Sequence, residues 1–284
     1  MSEYENEKVD HHIIIYVKKK YFNLLIRFFT GVGFIFLIVF SIEKGEKFFR
    51  IVMMILSFLC LFEFLNMSRT KTILIKVVSL FFLLSIFLDI FMEKGLILYI
   101  ICFIPYSTIF FIIQLFSKTL SHEEKIMQIN SLILGLVYII IPFYLASYVY
   151  SLVGKELILG IFILIWTNDS FSYLIGKKWG ERKIAISISP KKSIEGFLGG
   201  VISCLISGLI LYNVWGKIYW LILSFIVPIF ATIGDLVEST IKRYYSVKNS
   251  GIWFPGHGGF LDRLDSFIFV ISIIATVFAG YHYL

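Results

Sequence analysis

GDLVESTIKRYYSVKNSGIWFPGHGGFLDRLD, residues 234–265, is a polar island in a largely apolar chain. It gathers Asp235, Glu238, Lys242, Arg243, Lys248, His257, Asp262, Arg263 and Asp265 around a Pro-Gly-His-Gly-Gly turn. Carboxylates interleaved with cations beside a glycine-rich turn suit a metal ion that holds a polyphosphate. The cations balance phosphate charge, and glycines let backbone N–H groups approach anionic oxygens. Ser239, Lys242 and Arg243 follow Asp235 at near-helical spacing, so one helix face can present a hydroxyl and cations together. Asp262 and Asp265 are three apart and share a helix face, as two ligands of one metal would. A solvated basic loop would explain the lysines and arginines. It would not explain three aspartates, a histidine and a GHGG turn in one short stretch.

Working outward, hydrophobic residues make up 58% of the 284 and charged residues only 16%. Mean hydropathy is +0.88. A soluble domain carries about a quarter charged residues, so this composition predicts an all-α, polytopic integral membrane protein. The 30 Phe fit lipid-facing surface. Cys60, Cys102 and Cys204 all lie in apolar runs without a C-x-x-C pair, so neither a zinc site nor a disulfide framework is supported. Residues 1–20 read as a cytoplasmic tail ending in Lys18, Lys19 and Lys20. No small-residue cleavage site follows, so the first apolar run is read as a retained span.

Apolar runs long enough for a bilayer core fall at approximately 21–41, 48–67, 72–92, 95–117, 130–152, 157–176, 194–213, 217–235 and 266–284, nine spans in all. Residues 21–152 form an N-terminal bundle of five. Residues 153–284 read as a C-terminal transmembrane region, the candidate catalytic one, with long polar connections at 177–193 and 236–265. Of the 26 Lys and Arg, 18 fall in the tail and the even-numbered connections and 6 on the opposite side. That bias puts the N-terminus and both long connections in the cytoplasm and the C-terminus outside. The net charge of +7 then reflects a cytoplasmic face against anionic lipid and calls for no nucleic acid.

A second polar stretch is WTNDSFSYLIGKKWGERKIAISISPKKSIEGFLGG, residues 166–200. Asp169 lies inside an apolar span, where a carboxylate is expensive and signals function. Lys191, Lys192 and Ser193 read as the start of a helix with Glu195 in its first turn, offering N–H groups and cations to phosphate. Glu63, Asp89 and Lys76 are charges within spans, suited to interhelical pairing.

Ser239, Lys242-Arg243, Lys248, Pro255-Gly256-His257-Gly258-Gly259 and Asp262-Arg263-x-Asp265 together resemble the signature of the phosphatidate cytidylyltransferases, or CDP-diacylglycerol synthases. Gly234-Asp235-Leu236, Ser189-Pro190-Lys191-Lys192-Ser193-x-Glu195-Gly196 and Asp169-x-x-x-Tyr173-x-x-Gly176 are similar to that family as well. The resemblance covers about the last 120 residues and is specific there; the first 150 match only as apolar spans. One departure is Asn249, where the family usually has Asp.

The resemblance implies a reaction of CTP with phosphatidate of the cytoplasmic leaflet, giving CDP-diacylglycerol and diphosphate in the cell's inner (plasma) membrane. It implies a catalytic set of Asp235, Lys242, Arg243, Lys248, His257, Asp262 and Arg263. Asp169, Lys191, Lys192, Ser193, Ser239, Gly256, Gly258 and Gly259 would bind substrate. Asp235, Asp262 and Asp265 would hold Mg²⁺, and His257 would bind or position phosphate rather than act as a base. A homodimer stays open. The alternatives are another CTP-dependent lipid enzyme, of the CDP-archaeol synthase or polyprenol kinase type, and a non-catalytic relative.

Overall fold

A bilayer offers no water to backbone N–H and C=O groups, so spanning segments satisfy them internally as helices. The computed structural model describes residues 25–68, 80, 83, 121–254 and 258–283. Helices α1 (Leu25–Glu43) and α2 (Glu46–Met67) come first. Helix α3 (His122–Gly135), a π-helical turn (Leu136–Ile140) and helix α4 (Ile141–Val153) run on as one rod. Helix α5 (Lys155–Trp179) leads into strands β1 (Lys183–Ala185) and β2 (Ser189–Ser193). Helices α6 (Ile194–Trp215), α7 (Tyr219–Tyr244) and α8 (Leu261–Tyr283) complete the described chain.

The protein is thus mostly helical, and six helices among the described residues are long and apolar enough to cross a membrane: α1, α2, the α3–α4 rod, α5, α6 and α7. The last expected span, 266–284, falls in the 23-residue α8 as far as Tyr283. The expected spans 72–92 and 95–117, with Lys76 and Asp89, lie outside the described residues, as does the tail.

Local chemistry sets several boundaries. Ser121 and Glu124 form a reciprocal capping box at the start of α3. The α1–α2 and α4–α5 turns lie together at one end of the molecule, where Lys155 Nζ reaches Glu43 Oε2 at 2.7 Å. The Tyr150 hydroxyl donates to the Ile42 carbonyl at 2.9 Å there, and Arg50 bonds Glu46 and Ser151.

Lipid tails are as apolar as leucine, so close packing and interhelical polar contacts, not hydrophobicity, hold such helices together. The α5–α6 seam follows this rule. Gly196, Gly199 and Gly200 of α6 are buried against Ser172, Ile175 and Gly176 of α5, and a Cβ on Gly200 would lie 2.2 Å from Ser172 Oγ. The opposite side of α6 exposes Ile202, Ile206 and Leu209 at helical spacing. Helix α8 is central: Phe267 stacks on Phe162 of α5 at 4.6 Å and meets Phe143 of α4. Ser266 Oγ donates to the Ala231 carbonyl of α7 at 3.2 Å.

Two expectations change. Residues 189–193 do not begin a helix, and the protein is not purely α. Strands β1 and β2 pair antiparallel, and the helix begins only at Ile194. Pro190 disfavours a helical residue 189 and lacks an N–H, so the chain stays extended there and residues 186–188 form the turn between the strands. The polar stretch 236–265 is not a loop throughout. Helix α7 continues to Tyr244 and α8 starts at Leu261, leaving 245–260 as the connection.

The close α5–α6 approach makes a test. Gly200→Val forces a side chain into Ser172 and Asn168 and should cost about 1–3 kcal/mol, the range for overpacking. Gly31→Ala, where nothing lies within 4 Å of the added carbon, should leave the melting temperature in detergent unchanged. Equal melting of the two variants would contradict the seam.

Candidate active site

Because α7 stays helical into the polar island as far as Tyr244, Asp235, Glu238, Ser239 and Lys242 fall on one side of it. Helix α8 begins close by, bringing Asp262 and Asp265 to that side. Asp235, Glu238 and Asp265 offer carboxylate oxygens that all lie within 4.8 Å of one another. Glu238 is 1% exposed and Asp265 9%, while Asp235 is half-buried.

Two lysines flank this cluster. Lys192, at the end of β2, places Nζ 2.7 Å from Asp235 Oδ2 and also reaches the Thr232 carbonyl at 3.4 Å. Lys242 Nζ bridges Glu238 and Asp262, at 2.6 Å from Asp262 Oδ1. Ser239 Oγ donates to Asp235 Oδ1 at 3.4 Å. Lys242, Glu238 and Asp262 form a buried charged triad that clamps α7 to α8.

Asp262 sits differently from what its spacing suggests. Its Oδ1 takes Lys242, and its Oδ2 accepts the Ser250 N–H at 3.0 Å, the Ser250 hydroxyl at 3.1 Å and the Gly259 N–H at 2.8 Å. These donors occupy the oxygens expected to face a metal, and Glu238 stands in the cluster beside Asp235 and Asp265 instead. Spacing alone put Asp262 with Asp265. Glu238, one turn after Asp235, carried the signal for the third carboxylate.

Glycine is required at Gly258, where φ is +97° and a Cβ would fall 2.3 Å from Asp262 Oδ2. Phe254 and Gly258 exchange backbone hydrogen bonds of 2.9 and 3.2 Å, closing the ends of the glycine-rich segment. Pro255, Gly256 and His257 lie outside the described residues. A Cβ on Gly259 would lie 2.2 Å from both Glu63 Oε2 and Ser250 Oγ. Glu63, on α2 and 2% exposed, accepts the Leu261 N–H at 3.0 Å, and its Oε2 lies 3.0 Å from the Ser250 hydroxyl oxygen. Its part in holding this connection is not visible from spacing, because the partners lie far apart in sequence.

The remaining predicted residues divide. Arg243, Lys248, Arg263 and Lys191 are exposed on the same polar end, and Arg243 Nη1 donates to the Val247 carbonyl at 3.0 Å. Asp169 of α5 is exposed, within electrostatic range of Asp235, Lys192 and Arg263. Ser193 is buried, and its hydroxyl oxygen accepts the Gly196 N–H at 3.2 Å as the N-cap of α6. That contact commits its oxygen to the fold.

A sequence profile of the Cytidylyltransferase family matches residues 25–281. The chain belongs to the cytidylyltransferase family. It is 32% identical over 264 residues to the phosphatidate cytidylyltransferase of Bacillus subtilis (strain 168), covering 89% of this chain and 97% of that protein. The phosphatidate cytidylyltransferase of Staphylococcus saprophyticus is 33% identical over 254 residues, 86% of this chain and 96% of its own. That of Staphylococcus aureus (strain COL) is 46% identical over 125 residues, 43% of this chain and 48% of its own. In this member of the cytidylyltransferase family, Lys242 balances two buried carboxylates, and removing it leaves both charges unpaired. Lys242→Met should therefore destabilise the protein by about 3–5 kcal/mol, the cost of breaking a buried ion pair. Thermal unfolding in detergent measures it, and an unchanged melting temperature would contradict the clamp.

Proposed function

We propose that the chain transfers the cytidylyl group of CTP to phosphatidate, giving CDP-diacylglycerol and diphosphate, at the cytoplasmic face of the plasma membrane. One observation carries the reading: three clustered carboxylates meet Lys192 and Lys242 at the end of apolar helices. Relatives aligned over nearly their whole length carry the name of this enzyme.

In this reaction an oxygen of the lipid phosphate attacks the α-phosphorus of CTP. The new P–O bond forms as the bond from that phosphorus to the oxygen bridging the β-phosphate breaks, and diphosphate leaves with the electron pair. A phosphomonoester is largely ionised near neutral pH, with a second pKa of about 6, so the site needs positioning and charge neutralisation more than a strong base. Lys191, Lys192, Lys248, Arg243 and Arg263 would meet the phosphates of the two substrates, and His257 would bind or position phosphate. Ser239 and Asp169 would act beside them, and Gly256, Gly258 and Gly259 would let backbone N–H groups approach.

The residues present fit a divalent cation. Glu238 is buried; Lys242 meets its Oε2, while its Oε1 has no hydrogen-bond partner. Asp235, Glu238 and Asp265 would hold Mg²⁺, which when bound would neutralise triphosphate charge. Asp262 would act next to them by fixing Lys242 and the glycine-rich segment. Asn249 is exposed whereas Glu238 and Asp265 are buried, which argues that the change from the family's usual Asp leaves the cation site intact.

For the membrane we propose nine spans, made of the six candidates, α8 and the two apolar runs at 72–92 and 95–117. The N-terminal five form one bundle and residues 153–284 the catalytic region. The Lys192–Asp235 pair ties the 177–193 connection to the part of α7 that leads into the second polar stretch, which supports their lying on one side, the cytoplasmic one by charge bias.

Purified protein with labelled CTP, phosphatidate and Mg²⁺ should yield CDP-diacylglycerol. Product formed only on an isoprenoid lipid would replace phosphatidate as the acceptor, and no product on any lipid would indicate a non-catalytic relative. Asp235→Asn should lower the rate on the order of a thousandfold and raise the Mg²⁺ needed for half-maximal rate; near-normal rates would remove Asp235 from the site. Cysteines introduced near Lys248 should resist an impermeant thiol reagent in intact cells and react in inverted vesicles. The reverse pattern would overturn the orientation.

A further inference from the structure

Ser250 poses a question of proton count. Its hydroxyl oxygen lies 3.0 Å from Glu63 Oε2 and 3.1 Å from Asp262 Oδ2. A serine hydroxyl has one proton to give, so it cannot donate to two carboxylates at once. Asp262 is the charged partner, since Lys242 and the N–H groups of Ser250 and Gly259 all point to it. Glu63 has backbone donors such as the Leu261 N–H but no cation to balance a charge. Among the described residues no lysine or arginine pairs with it, it is 2% exposed, and its Oε1 is buried without a hydrogen-bond partner. An unpaired buried carboxylate is costly, whereas a neutral acid is not.

We propose that Glu63, as a neutral acid on α2, donates to Ser250, which donates to Asp262, and that this relay positions Ser250, Gly259 and the start of α8 for the reaction. Glu63 touches no reacting atom; it is a positioning residue. The Leu261 N–H also binds Glu63 at 3.0 Å, fixing the first residue of α8. Gly251 and Gly259 are pressed against the same carboxyl group, where an added Cβ would lie 2.4 and 2.2 Å from its oxygens. The N-terminal half of the chain, which carries none of the family signature, would then set the pose of Asp262 and through it of Lys242. The catalytic consequence rests on the function proposed above; the anchoring does not.

The test compares two variants in the full-length protein. Glu63→Gln keeps a donor for Ser250, while Glu63→Met keeps the volume and loses the relay. Amide hydrogen exchange across 246–261 reads the anchor, and kcat and KM for CTP read its consequence. Glu63→Met should speed exchange at Ser250, Gly259 and Leu261 about tenfold or more, and lower kcat roughly a hundredfold with a smaller change in KM. Glu63→Gln should stay within about tenfold of wild type in both. Wild-type exchange in Glu63→Met, or a loss in Glu63→Gln equal to that in Glu63→Met, would overturn the proposal. Should Glu63→Met fail to fold, Ser250→Ala breaks the same relay. It should speed exchange at residue 250 and lower kcat, and unchanged values of both would equally overturn it. Exchange that follows the expectation in a protein making no CDP-diacylglycerol would keep the anchor and refute the reaction.

Discussion

Lys242 is the residue on which the polar end of this protein depends. Its ammonium group lies between Glu238, one turn earlier on α7, and Asp262, in the first turn of α8. Ion pairs of this kind are worth little at a surface but much when one partner is lost from a buried site. Here the pairing joins two helices that would otherwise face each other with carboxylates only. With Lys242 in place, Asp262 turns to the N–H groups of Ser250 and Gly259. Glu238 is left facing Asp235 and Asp265, an acidic cluster suited to a cation.

The packing beneath serves this arrangement. Helix α8 carries Asp265 and Ser266 only because its next turns are buried among aromatic rings, with Phe267 between Phe143 and Phe162. The glycines of α6 bring it against α5, so that β2 ends where Lys192 can reach Asp235. In a lipid environment these close contacts replace the hydrophobic drive of a soluble core.

Much of this was legible in the residues alone. Long uncharged runs identify membrane helices, and the dense charges of 234–265 mark the site against that background. The limits are equally physical. Spacing of three places Asp262 and Asp265 on one helix face, but which of them faces the cluster is decided by the neighbouring helix, through Lys242. Ser189-Pro190-Lys191 resembles a helix start because Ser193 is a true N-cap. Pro190, which disfavours a helical residue before it, would have pointed to the extended strand. Glu63 could be noticed as a charge in an apolar run, but not matched to Ser250, because that contact is made by the fold.

The central claim is that Asp235, Glu238 and Asp265 together form a cation site that works with the nucleotide. Mn²⁺ binding to the purified protein, followed by electron paramagnetic resonance with and without CTP, tests it most directly. One bound ion per chain is predicted, held more tightly when CTP is present and lost in Glu238→Gln. Unaltered Mn²⁺ binding in Glu238→Gln, both with and without CTP, would contradict the account.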